Sequence, residues 1–201
     1  MEILLIGVVA LAGAGTGWFI LRRVNRRSRQ GYMMTAAGRP LRWSPLSLPV
    51  RCLCDERVDF GLRATYHGAA LRINDAVGRT VLDPAPTPQP KDRAGDRGVI
   101  FMRTEPGKGG VLQSSPQGAR EAGRTDIEWD QRTGLILAAV IFLPDGASGK
   151  RMRTMLHELG HALGLDHSAN PHSIMYPYIT PAVDVARLSA QDCAALRRGY
   201  R

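Results

Sequence analysis

Between His157 and His167 the chain reads HELGHALGLDH, which gathers three of its five histidines into eleven residues. Two imidazoles four apart on a helix stack one turn above the other, so both can reach a single ion. Gly164 follows His161 by three, where a left-handed residue can end a helix and return His167 from another direction. Three neutral nitrogen ligands leave a fourth tetrahedral position for water, the plan of a catalytic rather than a closed structural zinc site. Glu158 lies beside such a metal without binding it, placed to take a proton from zinc-activated water and pass it to a leaving amine. With five His and 22 Gly in 201 residues, this arrangement arises by chance in on the order of one such sequence in a hundred thousand. His67 and His172 stand apart from the cluster and read as ordinary, non-ligand histidines.

The elements that must position these groups are legible in outline. Met152, Leu156, Leu159 and Leu163 give a helix over 149–164 a separate apolar face. Upstream, 48–55 reads as a first strand and 59–78 as a helix with Leu62, Tyr66, Ala70 and Ile73 inward and Gly78 as its stop. Short strands are expected at 79–83 and 99–104, separated by a Pro-rich loop over 84–98, with a second loop over 105–118. Segments 124–130 and 135–143 flank QRTG as a hairpin. A last helix over 189–199 opens on Ser189-x-x-Asp192, a candidate cap. Val50, Cys52 and Cys54 share one strand face and read as core side chains; with Cys193 the odd one out, no disulfide framework is visible.

The net charge of +9 is unevenly placed: residues 1–51 carry eight of the 27 basic groups and one of the 18 acidic ones. The remainder is close to neutral, which excludes the basic face that nucleic-acid binding needs. Ile3 to Leu21 form nineteen residues without a charge, enough helix to span about 28 Å. Five arginines follow at once, so an uncleaved transmembrane anchor over 1–21 is expected in preference to a cleaved signal. Gly13 and Gly17 would allow a weak homodimer through such helices. Residues 22–45 then read as a basic juxtamembrane tether and 46–201 as the globular domain. The arginine run favours the cytoplasmic face for this single-pass arrangement.

His157 to Ser168 resembles the extended H-E-x-x-H-x-x-G-x-x-H motif of the metzincin zinc proteases, and most of all their matrixin branch, the matrix metalloproteinase type. Ser168 stands where that branch places a serine, Met175 in SIMYPY where its Met-turn passes beneath the ligands, and Asp192 where its last helix carries an acid. The resemblance implies an α+β (α/β-type) metzincin fold: a twisted, five-stranded, mostly parallel sheet with one antiparallel edge strand, two long helices, the Met-turn and a C-terminal helix. It further implies a zinc metalloendopeptidase with His157, His161 and His167 as metal ligands, Glu158 as general base and acid, one catalytic zinc, and a protein or peptide substrate paired along the edge strand. Calcium (Ca2+) receives no assignment from it. The resemblance favours work outside the cytoplasm, against the charge pattern. Two departures stand out: too few residues precede the first strand for a folded pro-domain, and Tyr178-Ile179 alters the wall of the family's specificity pocket. Two other readings stay open, a non-catalytic zinc-binding interaction module and a zinc hydrolase of a non-peptide amide.

Overall fold

Asp59 opens the first helix, α1 (Phe60–Val77), its carboxylate accepting from the Leu62 amide at 2.6 Å, and Gly78 closes it in the left-handed region at φ 83°. Leu62, Tyr66, Ala70 and Ile73 are all buried, as their spacing predicts. The computed structural model describes residues 31–89, 96–105, 123–144, 151–177 and 186–201. Its strands are β1 (Arg42–Trp43), β2 (Arg51–Cys54), β3 (Thr87–Pro88), β4 (Val99–Glu105), β5 (Arg124–Trp129) and β6 (Leu135–Pro144), and its other helices are α2 (Arg151–Ala162) and α3 (Ala190–Tyr200).

The fold is of mixed α/β type, with a mostly parallel sheet. β2 pairs in parallel with β3 and β4, β4 with β6, and β1 with the start of β6. β5 alone is antiparallel, running along the other edge of β6. Ile136 pairs with both Trp43 and Trp129, and Ala138 with both Val99 and Glu128. β1 and β4 therefore share one edge of β6 in succession, and the six strands occupy the five positions expected. Among the described residues β5 pairs only with β6, which leaves its outer edge open. α1 packs against α2 and α3, while α2 also meets β5 and β6.

Two segments differ from the sequence reading. The strand expected at 79–83 shrinks to a single bridge between Val50 and Leu82. Asn74, projecting from α1, takes the backbone groups that a second ladder would need: its carbonyl accepts from the Val81 and Leu82 amides, and its amide donates to Leu82 O. β3 falls instead inside the Pro-rich segment, on the outside of the sheet where a proline is tolerated. The second difference is at the start of the domain. Residues 31–45, expected within the 22–45 tether, belong to the core, with Tyr32, Leu41 and Trp43 at most 3% exposed. Alternating apolar and basic residues disguise this segment, because Leu41 and Trp43 face inward while Arg42 faces out.

The single-pass membrane assignment is not upheld. No helix among the described residues is long and apolar enough to cross a membrane. Residues 3–21, including Gly13 and Gly17, lie outside the described residues. The anchor, the choice of membrane face and the helix-mediated homodimer that followed from it are withdrawn together.

Candidate metal centre

α2 carries the first two histidines on a helix held by an apolar face, with Met155, Leu156, Leu159 and Leu163 fully buried. The helix ends as the sequence predicts. Gly164 adopts φ 88°, its amide donates to His161 O at 2.7 Å, and the Leu165 amide donates to Gly160 O at 2.9 Å. This paired closure is a Schellman motif. A Cβ at Gly164 would overlap the Leu41 carbonyl, so the position needs glycine for space as well as for φ. The chain then turns, bridges Tyr32 through Leu165, and returns with His167.

The three imidazoles converge. Nε2 of His161 lies 3.1 Å from Nε2 of His157 and 3.1 Å from Nε2 of His167. The Nδ1 atoms fix the tautomers. His157 Nδ1 is 2.7 Å from the Ile174 carbonyl and His161 Nδ1 is 2.9 Å from the Leu165 carbonyl. A carbonyl only accepts, so Nδ1 carries the proton in both rings and the Nε2 lone pair faces the centre. Lone pairs facing each other at this distance repel unless a cation lies among them. Nitrogens bound tetrahedrally to zinc at about 2.0–2.1 Å would stand about 3.3 Å apart, close to what is found. Burial is the main cause that pushes the His157 pKa down, and Arg153 adds to it against the opposing Ile174 hydrogen bond and Asp192. That ring is thus held neutral, the form a metal requires. The donor set fits zinc, and among the described residues these are the only three His, Cys, Asp or Glu groups close enough to hold one ion.

The support beneath the histidines is equally specific. Met175 is buried under α2, where a Cβ at Gly160 would overlap its sulfur; only glycine lets the turn pass so near the helix. Asp192 ties this turn to α3. Its carboxylate accepts from Ser173 Oγ at 2.5 Å and the Ile174 amide at 2.9 Å, and also from the Ser189 amide and hydroxyl. The cap expected at Ser189 is present and is a full capping box with Asp192. The Ile174 peptide that receives this support also orients His157 through its carbonyl.

Glu158 is buried at 3% exposure. Its Oε2 accepts from the Thr125 hydroxyl of β5 at 2.6 Å. Sequence reasoning passed over Thr125, although alternation back from Trp129 and Ile127 places it on the inward face. His67 is exposed beside Pro84 O, and His172 is exposed just before the Met175 turn; neither joins the centre. Cys52 and Cys54 are buried in β2 with their thiol pKa values pushed up, chiefly by burial, and neither belongs to the metal group. Tyr178 and Ile179, on the expected pocket wall, lie outside the described residues.

The matrixin family model matches residues 106–201. Curated relatives match over shorter stretches around the motif. A probable matrix metalloproteinase, 095L, of invertebrate iridescent virus 3 is 55% identical over 38 residues, which is 18% of this chain and 10% of the relative. Macrophage metalloelastase of Rattus norvegicus is 52% identical over 48 residues, 22% of this chain and 10% of the relative. Matrix metalloproteinase-25 of Homo sapiens is 42% identical over 59 residues, 28% of this chain and 10% of the relative. The chain thus spans about a tenth of the length of these relatives. With the histidine motif on α2, the methionine turn beneath it and the mostly parallel sheet with its antiparallel edge, the chain carries a matrixin-like catalytic domain.

Proposed function

We infer that this domain is a zinc-dependent metalloendopeptidase in which His157, His161 and His167 hold the metal and Glu158 is the general base and acid. The observation that carries the reading is the convergence of three Nε2 atoms, two pairs of them 3.1 Å apart, with the buried Glu158 next in the chain to the first of these histidines. Zinc held there would supply Lewis-acid chemistry, polarising a scissile carbonyl and bringing the pKa of water down to about 7. The chain's own residues do the rest. The histidines turn their Nε2 atoms toward one centre, and the carbonyls of Ile174 and Leu165 hold two of those rings in that orientation. Glu158 accepts a proton as the water oxygen bonds to the carbonyl carbon, and returns it to the amine nitrogen as the C–N bond breaks. Among the described residues the outer edge of β5 pairs with no strand, and its backbone groups would suit an extended peptide, which favours a protein or peptide substrate.

The test is cleavage of a diverse peptide library by the purified chain loaded with zinc. Cleavage should stop with a chelator and return on adding zinc. Glu158→Ala should lower kcat by about 10²–10⁴-fold while still taking up one zinc per chain. Stoichiometric zinc without any cleavage would move the assignment to a zinc-binding module, and amide hydrolysis confined to non-peptide substrates would move it to another hydrolase.

A further inference from the structure

A general base acts only if its carboxylate is held where the proton leaves, and Glu158 is held from outside its own helix. Thr125 Oγ1, on β5, lies 2.6 Å from Glu158 Oε2 and 3.1 Å from the Glu158 carbonyl. A hydroxyl has one proton to donate, and the shorter, charge-assisted contact takes it; about 2.5–2.7 Å is the span of O–H···O⁻ bonds. Gly123, two residues earlier, completes the wall. A Cβ there would come within 2.9 Å of Oε1 and 3.1 Å of Cδ of the same carboxyl group, so the bare backbone closes against it.

We propose that Thr125 is a positioning residue for Glu158, its hydroxyl fixing the carboxylate from the strand beside which, on the peptidase reading, the substrate would lie. The inference rests on the peptidase reading above and adds to it a link between the substrate strand and the base. β5 pairs inward with β6 and packs against α2, so a peptide laid along its outer edge borders the strand that anchors the carboxylate. Thr125 is half-buried and uncharged, and valine matches its shape. Replacing it by valine removes the donor and little else. A misplacement of about 1 Å at a reacting group can cost on the order of 10²-fold in rate.

The experiment compares the full chain with Thr125→Val and Thr125→Ser, all zinc-loaded, in peptide cleavage, with crystal structures of the wild type and T125V alongside. Expected is a fall in kcat of about tenfold or more for T125V, with KM within about twofold, one zinc per chain retained, and most of the rate restored in T125S. The T125V crystal should show the Glu158 carboxylate displaced from its wild-type place. The proposal is overturned if T125V keeps the wild-type kcat, if T125S is as slow as T125V, if the loss lies in KM or zinc content, or if the carboxylate does not move. Should the wild type cleave no peptide, the peptidase reading alone fails, and the carboxylate's place in the two crystals still decides the role of Thr125.

Discussion

Asp192 illustrates how far a single side chain reaches at the residue scale. Buried at 3% exposure, its carboxylate gathers two amides and two hydroxyls, from Ser173, Ile174 and Ser189. Asn at this position keeps the shape but swaps one acceptor for a donor facing other donors. Leaving buried amides unsatisfied costs about 1–3 kcal/mol, so Asp192→Asn should lower the unfolding free energy by that amount, seen as a lower urea midpoint at an unchanged slope. Because Ile174 also holds the His157 ring, zinc affinity measured by chelator competition should fall by about tenfold, the low end for groups behind a ligand. Unchanged affinity in a destabilised protein would show that the turn holds His157 without Asp192. The histidine cluster itself was legible because helical spacing and a glycine stop are local facts. Thr125 was not, because a threonine on a strand face gains meaning only when that strand meets α2.

At the scale of elements, the C-terminus of α2 shows how distant segments finish what the helix cannot. Its last carbonyls have no partners within the helix. Ala162 O accepts from the Trp43 indole at 2.8 Å, Leu163 O from the Tyr200 hydroxyl at 2.7 Å, and Gly164 O from the Met33 amide at 2.8 Å. Trp43 is 1% exposed, so no water replaces its N–H. Trp43→Phe would strip the donor from Ala162 O and leave a gap beside the ring, with an expected loss of about 2–4 kcal/mol from the unsatisfied group and the cavity together. Chemical denaturation checks this, and a loss below about 1 kcal/mol would mean that the carbonyl finds another donor. The helix and its stop could be read from sequence, while its closing partners lie 119 and 37 residues away and could not. The same limit explains 79–83, whose apolar run looked like a strand until Asn74 took its backbone groups.

For the whole molecule, the question is where the domain begins. A boundary at residue 46 follows from the charge pattern, yet Tyr32, Leu41 and Trp43 lie in the same core as α2 and α3. The Tyr32 hydroxyl donates to Ala195 O at 2.9 Å, and burial pushes its pKa up to about 12. Gly31 O accepts from the Asp166 amide, one residue before His167. A chain starting at residue 46 would lack three large buried side chains and the donors to Ala162 O and Gly164 O, and would expose the underside of the loop carrying His167. Each fully buried apolar side chain contributes about 1.5–3 kcal/mol, and total stabilities are about 5–15 kcal/mol, so this loss is comparable with the whole. The truncated chain is therefore expected to lose its cooperative thermal transition and near-ultraviolet dichroism, and to bind zinc only weakly. A chain starting at residue 31 should keep all three properties. A cooperative 46–201 fragment with tight zinc binding would instead mean that α2 and its loop are set by the sheet and α3 without the N-terminal segment.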